Sequence, residues 1–159
     1  NIWTGFKNKA RFFGLTPTNA IFAAYAELIS YWSGSKHFLL NNMVTHRFPM
    51  HPEVKEIIGN FASLYPLEVD WRDSAPFSER ALRLQERVMT DLQHVYWSGV
   101  KVLQALNQIQ KTPGRAPCPF VVGSGLFMER YAKRHFACLE TPQAVLDHQF
   151  VAQEVHQVR

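Results

Sequence analysis

Apolar residues recur at three- and four-residue intervals over positions 21–32, where Ile21, Phe22, Ala24, Tyr25, Leu28, Ile29 and Trp32 form one broad stripe. That spacing predicts a helix with a buried face. Its start has a mechanism: the Thr16 hydroxyl can cap, and Pro17 takes the first helical position, where its missing N–H costs nothing. Gly34 ends it. The pattern then changes, and residues 37–48 (HFLLNNMVTHRF) are rich in strand-compatible side chains closed by Pro49 and Pro52. A short helix is expected over 52–59. Residues 61–71 (FASLYPLEVDW) read as a second strand, and Pro66, which cannot donate to a ladder, requires an edge position or a bulge there. Residues 78–95 carry Ala81, Leu82, Leu84, Val88, Met89 and Leu92 at helical spacing, and Ser98-Gly99 separates them from a second helix over 100–111. That second helix is expected to turn Val100, Leu103, Leu106 and Ile109 inward. A loop over 111–117, a glycine-interrupted buried strand from Pro119 and a last strand over 144–153 complete the chain. Two consecutive helices between strands point to an α/β fold built as a layered sandwich rather than a strictly alternating doubly wound sheet.

Composition bounds this picture. At 159 residues, 47% hydrophobic and 13% aromatic, the chain can bury one core and is too short for two ordinary domains. The net charge is +4, but the basic residues are scattered and form no dense stripe of the kind that binds nucleic acid. The excess is either a solvated surface or a complement to an acidic protein partner. Cys118 and Cys138 form neither a CxxC pair nor a set with histidines, so no zinc site is implied. The thiols suit a reducing cytoplasm. No apolar run reaches the roughly 18 residues that span a bilayer, and the opening segment lacks the hydrophobic core of a signal peptide. A cytoplasmic chain without membrane partner is expected. It begins at Asn1 on an amphipathic segment, which reads as a piece of something longer.

Four segments stand in fixed order: TPTNAIFAAYAELISYW from Thr16, GNFASLYPLEVD from Gly59, PFVVGSGL from Pro119 and ETPQAVLDHQ from Glu140. Together they resemble the last four motifs of heterocyclization domains, the condensation-type modules of nonribosomal peptide synthetases. Those motifs are a TP-initiated helix ending in LxxW, then GDFTxL, PVVFTSxL and TPQVxLD. The connecting stretches NNMVTHRFPMHPEV and RLQERVMTDLQHVYWSGVKVLQAL are similar to the family as well, so the likeness runs from Trp3 to Gln149. It implies that residues 1–159 are the C-terminal lobe of a chloramphenicol-acetyltransferase-like V-shaped fold whose N-terminal lobe is absent here. Reactants meet between the two lobes, so the isolated lobe is expected to be inactive. The implied partners are that lobe, carrier proteins bearing substrates on phosphopantetheine, and a neighbouring adenylation domain. No metal or free cofactor is implied.

The resemblance also assigns chemistry residue by residue. Such domains join a carrier-bound acyl group to a carrier-bound cysteine, serine or threonine, then close a thiazoline or oxazoline ring with loss of water. An aspartate of the last motif and a threonine of PVVFTS look like the acid–base pair, a sensible one because ring closure moves protons both ways. Asp147 matches the aspartate, but the threonine position is Gly123. Ser124 carries the adjacent hydroxyl and, on a regular strand, would face the other way unless Gly123 or Gly125 introduces a bulge. Where GDFT offers a carboxylate and a hydroxyl, the chain has Asn60 and Ala62. Two readings follow: an enzyme lobe contributing Asp147, or a noncatalytic or condensation-only lobe kept for docking. The neighbouring His148 faces away from Asp147 on a strand and forms no dyad with it. His46 and His51 read as loop residues, and Tyr25, Tyr31 and Trp32 as core or lobe-interface filling.

Overall fold

The computed structural model describes residues 2–111 and 118–126. Its elements are helix α1 (Ile2–Phe12), helix α2 (Pro17–Ser33), strand β1 (His37–Thr45), a 3₁₀ turn (Pro52–Lys55), strand β2 (Ala62–Asp70), helices α3 (Phe77–Gln93) and α4 (Gly99–Gln110), and strand β3 (Val121–Val122). The expected helix over 52–59 is therefore a single tight turn. The expected last strand over 144–153 lies outside the described residues.

Helix α2 begins as its sequence dictates. Thr16 is extended and its side chain accepts from the Asn19 N–H at 3.2 Å, Pro17 follows, and Gly34 closes the helix in the left-handed region at φ 68°. Its buried stripe is Asn19, Ala20, Phe22, Ala23, Ala26 and Ile29. Of the expected stripe Phe22 and Ile29 are buried, while Ala24, Leu28 and Trp32 are exposed; Ala20, Ala23 and Ala26 face inward instead, because small side chains let the helix lie close to its neighbours. Leu28, Tyr31 and Trp32 are exposed, a second apolar face on the same helix. Gln85 of α3 ties the helix start in place: its Oε1 accepts from the Thr16 N–H at 2.8 Å and from Asn19 Nδ2 at 3.2 Å, and its Nε2 donates to the Gly14 carbonyl at 2.9 Å.

The three described strands lie in the order β2-β1-β3. β1 and β2 are antiparallel, with His37 opposite Asp70 and Thr45 opposite Ala62, and β3 runs parallel to β1 with Asn41 beside Val121 and Asn42 beside Val122. Pro66 sits opposite Asn41, whose N–H is directed the other way, to the Phe120 carbonyl at 2.7 Å. The proline thus occupies a pair without ladder bonds, and its missing N–H would point off the sheet's outer edge. Of the two expected solutions the edge position is realised among the described strands, and the β1–β2 register runs without a bulge.

Alternation along the strands divides the sheet into two faces. One carries Leu40, Leu67 and Val69, all 0% exposed, with Tyr65 and Val122, and packs with Ala81, Leu84 and Val88 of α3 and the inner stripe of α2. Burying each of these aliphatic side chains is worth about 1.5–3 kcal/mol. This is the layered α/β sandwich that the pattern implies. In α3, Met89 is exposed rather than inward. In α4 the expected inward set holds only in part: Leu103 and Leu106 are half-buried, while Val100 and Ile109 face solvent. The reason is how α4 docks, by its first turn against the edge of β2 rather than along its length. A Cβ on Gly99 would stand 2.7 Å from the Leu64 carbonyl carbon and 2.9 Å from the Tyr65 Cα, so only glycine permits that approach.

Candidate functional site

The second face of the sheet carries the altered motif positions. Leu39, Asn41, Met43 and Thr45 of β1 alternate onto it, together with Ala62, Leu64 and Pro66 of β2. Ala62 stands directly opposite Thr45 and Leu64 opposite Met43. Gly123, just past the end of β3, completes this row from the other side: a Cβ built on it would meet Met43 Cβ at 3.3 Å and Met43 Cε at 2.9 Å. The fold thus brings Ala62 and Gly123, sixty-one positions apart in the chain (123 less 62), onto one end of one face. No helix of the described residues packs over this end as α2 and α3 pack over the other face, and Met43 and Leu64 are 49% and 36% exposed.

The hydroxyl and amide groups nearby have definite partners. Ser124 lies beyond the last paired residue of β3, so strand alternation does not set its direction. Its Oγ accepts from the Leu126 N–H at 3.3 Å, a local turn that holds the side chain without consuming its own proton. Asn60 closes a similar turn, its Oδ1 accepting from the Ala62 N–H at 2.9 Å, so its polarity is spent in shaping the entry to β2. Asp147 and His148 lie outside the described residues.

Two residues of this face escape a reading based on motifs alone. Asn41 is only 8% exposed, and its Oδ1 is buried without a hydrogen-bond partner. Asn42 points to the opposite face, where its Nδ2 donates to the Tyr65 hydroxyl at 2.6 Å and burial pushes that phenol up to about 12. The signal was available in the sequence as two consecutive amides in an otherwise apolar strand. Met43 was not recognisable, since a methionine at strand spacing is ordinary filling until its contact with a distant glycine is known.

The loop joining β1 and β2 is pinned by Arg47. Its Nη1 donates to the carbonyls of Val54 at 2.8 Å and Ile57 at 2.7 Å, and its guanidinium lies 3.8 Å from the centre of the Phe61 ring. His46 and Phe48 pack edge to face, and Phe48 stacks on Tyr96 with ring centres 4.2 Å apart, which makes His46 the loop residue expected of it. His51 caps the 3₁₀ turn by accepting from the Glu53 N–H.

A separate groove of ≈ 380 Å³ runs beside α3 and contains Arg72, Arg80, Arg83 and Arg87. Each guanidinium is engaged: Arg72 with Asp70, Arg80 with Glu27, Arg83 with Asp73, and Arg87 with Glu68 and Asp91. Asp70 and Asp73 are held below the usual carboxylate range by these hydrogen bonds. The groove is an ion-pair network, not an open anion site. Cys118 is buried, which pushes its thiol up to about 12 and leaves it unreactive at neutral pH. Among the described residues no group of histidine, cysteine and carboxylate side chains could hold a metal ion, and no helix is long and apolar enough to cross a membrane.

Comparison with known proteins places this geometry. No family model matches the chain. Phenyloxazoline synthase MbtB of Mycobacterium sp. (strain MCS) is 38% identical over 117 residues, 74% of this chain and 10% of that protein. Pyochelin synthetase PchF of Pseudomonas aeruginosa is 35% identical over 159 residues, 95% of this chain and 9% of that protein. The solved EpoB cyclization-docking bidomain from Sorangium cellulosum is 35% identical with a TM-score of 0.67, covering 78% of this chain and 25% of that one. The chain thus spans about a tenth of the length of these curated relatives. Sequence and fold agree: the chain belongs to the condensation and cyclization domains of nonribosomal peptide synthetases, with their chloramphenicol-acetyltransferase-like architecture.

Proposed function

We propose that the chain is the C-terminal lobe of a domain that condenses a carrier-bound acyl group with a carrier-bound cysteine, serine or threonine and then cyclodehydrates the product. The observation that carries this reading is the likeness, over most of the chain, to a phenyloxazoline synthase, a pyochelin synthetase and a cyclization domain. Substrates arrive on the phosphopantetheine arms of carrier proteins, one charged through a neighbouring adenylation domain, and react in a channel closed by the N-terminal lobe.

In the first step the amine attacks the acyl thioester, an amide forms and the upstream carrier thiol leaves. In the second the side-chain thiol or hydroxyl attacks the new amide carbonyl, giving a five-membered adduct that bears the former carbonyl oxygen as a hydroxyl. Loss of that hydroxyl together with the nitrogen proton leaves the C=N bond of the ring; the net change is one water lost. Asp147 is the group proposed to carry the nucleophile's proton to the former carbonyl oxygen and then the nitrogen proton to the departing hydroxyl. Ser124 is the hydroxyl that remains next to Gly123 in the segment from Pro119.

A second reading, amide formation without ring closure, is favoured by the contact between Gly123 and Met43. Glycine supplies no hydroxyl, and the thioether stands where one would project. The two readings separate in the parent synthetase supplied with acyl and cysteinyl carrier proteins, by mass analysis of the released product. Ring formation that falls about 10²–10⁴-fold in Asp147→Ala supports the acid–base role. Ring formation untouched by that substitution removes Asp147 from the mechanism, amide alone establishes the second reading, and neither product leaves a docking lobe.

A further inference from the structure

We propose that Met43 is a specificity-determining residue of this face, setting the share of bound amide that proceeds to a ring; this rests on the functional reading above. The observation is the fit between two residues that no motif connects. Met43 Cε and Cβ stand 2.9 and 3.3 Å from where a Cβ on residue 123 would be, so the methionine occupies the volume that a side chain at Gly123 would use. Its register partner is Leu64, and it lies between the positions of Asn41 and Thr45 on β1, on the face that carries Ala62. At 49% exposed it borders open space rather than core, so its flexible end is not fixed by packing on all sides.

The chemistry of that seat decides its effect. Ring closure needs a proton carried between nucleophile, acid–base group and departing oxygen, and a thioether is at most a weak acceptor with no proton to give. It also keeps water out. A water bridging Gly123 would need two to four polar partners and room equal to its share of the liquid, about 30 Å³. Polar groups flank that seat among the described residues, since the unpartnered Asn41 Oδ1 and the Thr45 side chain lie on the same face, two positions to either side of Met43. What the seat lacks is room, because Met43 occupies it. Shortening Met43 to alanine removes the sulfur, the methyl and one methylene, and the vacated space suits a water that can relay the proton which Gly123 cannot.

The test is made in the full synthetase, reading the ratio of ring to open amide in the released product. Met43→Ala is expected to raise that ratio several-fold, and Met43→Leu, which refills the volume without polarity, to return it toward the unmodified value. A thermal-melting cycle supplies a readout independent of catalysis. Gly123→Ala alone should lower the melting temperature by more than it does in a Met43→Ala background, because the closer contact, with Met43 Cε, is then gone and only the one with Cβ stays. Amide formed with a ratio that Met43→Ala leaves unmoved overturns this inference while leaving the functional reading standing. Release of neither amide nor ring from the unmodified synthetase overturns both. Additive melting shifts show that Met43 does not occupy the seat and overturn the inference on structural grounds.

Discussion

The two faces of one sheet are built to different rules. Toward α2 and α3 the strands present Leu40, Leu67 and Val69, none of them exposed, and Asn42, whose Nδ2 donates to the Tyr65 hydroxyl while its buried Oδ1 has no partner. Away from those helices the same strands present Asn41 with an unpartnered carbonyl oxygen, a half-exposed Met43, and alanine and glycine where larger polar residues would fit the motifs. The first face is constrained by volume and tolerates little. The second carries Ala62 and Gly123, the positions at which the motifs that the chain resembles have hydroxyls.

The sharpest way to break the comparison is to make the same kind of cut on each face. Leu67→Ala removes a fully buried side chain and should cost about 2–5 kcal/mol in urea unfolding. Met43→Ala deletes a side chain of similar size from the half-exposed face and should cost about 1 kcal/mol or less. Equal losses would mean that the second face is as much core as the first, and the functional division between them would fail.

The edge of the sheet offers a cut of intermediate size. Gly99→Ala forces a methyl group against the Leu64 carbonyl and the Tyr65 Cα, which belong to backbone and cannot swing aside. A loss of about 1–3 kcal/mol is expected, with α4 released from β2 before the α2–α3 layer opens. Hydrogen exchange would show this as early exchange confined to α4, and uniform acceleration across all helices would refute separate docking. Smaller again is the cap: Thr16→Ala should cost about 1 kcal/mol and act only through the helix-backed face, because Thr16 holds the first turn of α2.

How far the sequence could be read follows the same division. The Thr16-Pro17 start and the Gly34 stop were legible, and Pro66 could be confined to an edge position or a bulge, because each rests on one local rule of backbone chemistry. Which side of α2 faces inward was not, since that helix is apolar on two sides and only packing selects the alanine stripe over Leu28 and Trp32. The inward direction of Val100 and Ile109 failed for a related reason: periodicity shows that α4 has an apolar stripe, not that the sheet edge would engage only its first turn. On the second face, Ala62 and Gly123 could be named as altered positions, but their meeting on one end of the sheet is a matter of register. Met43 becomes visible only then, and Asp147 lies outside the described residues.

The smallest expected effect tests whether polar groups on the helix-backed side carry charge only because the fold tolerates it. Asp91 of α3 has one carboxylate oxygen buried without a partner, and burial raises its carboxyl above the ordinary value of 3.8, an effect that Arg87 at 3.3 Å opposes. With the folded value above the unfolded one, the folded state binds more protons in between. This group's contribution is therefore full below about 3.8 and is lost as pH rises through its folded value. Asp70 runs the other way: held low by Arg72, it contributes above the ordinary value and loses that contribution as pH falls, though its exposure leaves it screened and weak. Replacing Asp91 by asparagine keeps the shape and removes the titration together with the ion pair to Arg87. The variant's urea midpoint should fall less than the parent's as pH rises from 3.8, with the two curves separating most above the folded value. Parallel curves would show that Asp91 is solvated in the folded state and that burial on this side is less complete than the sheet's first face implies.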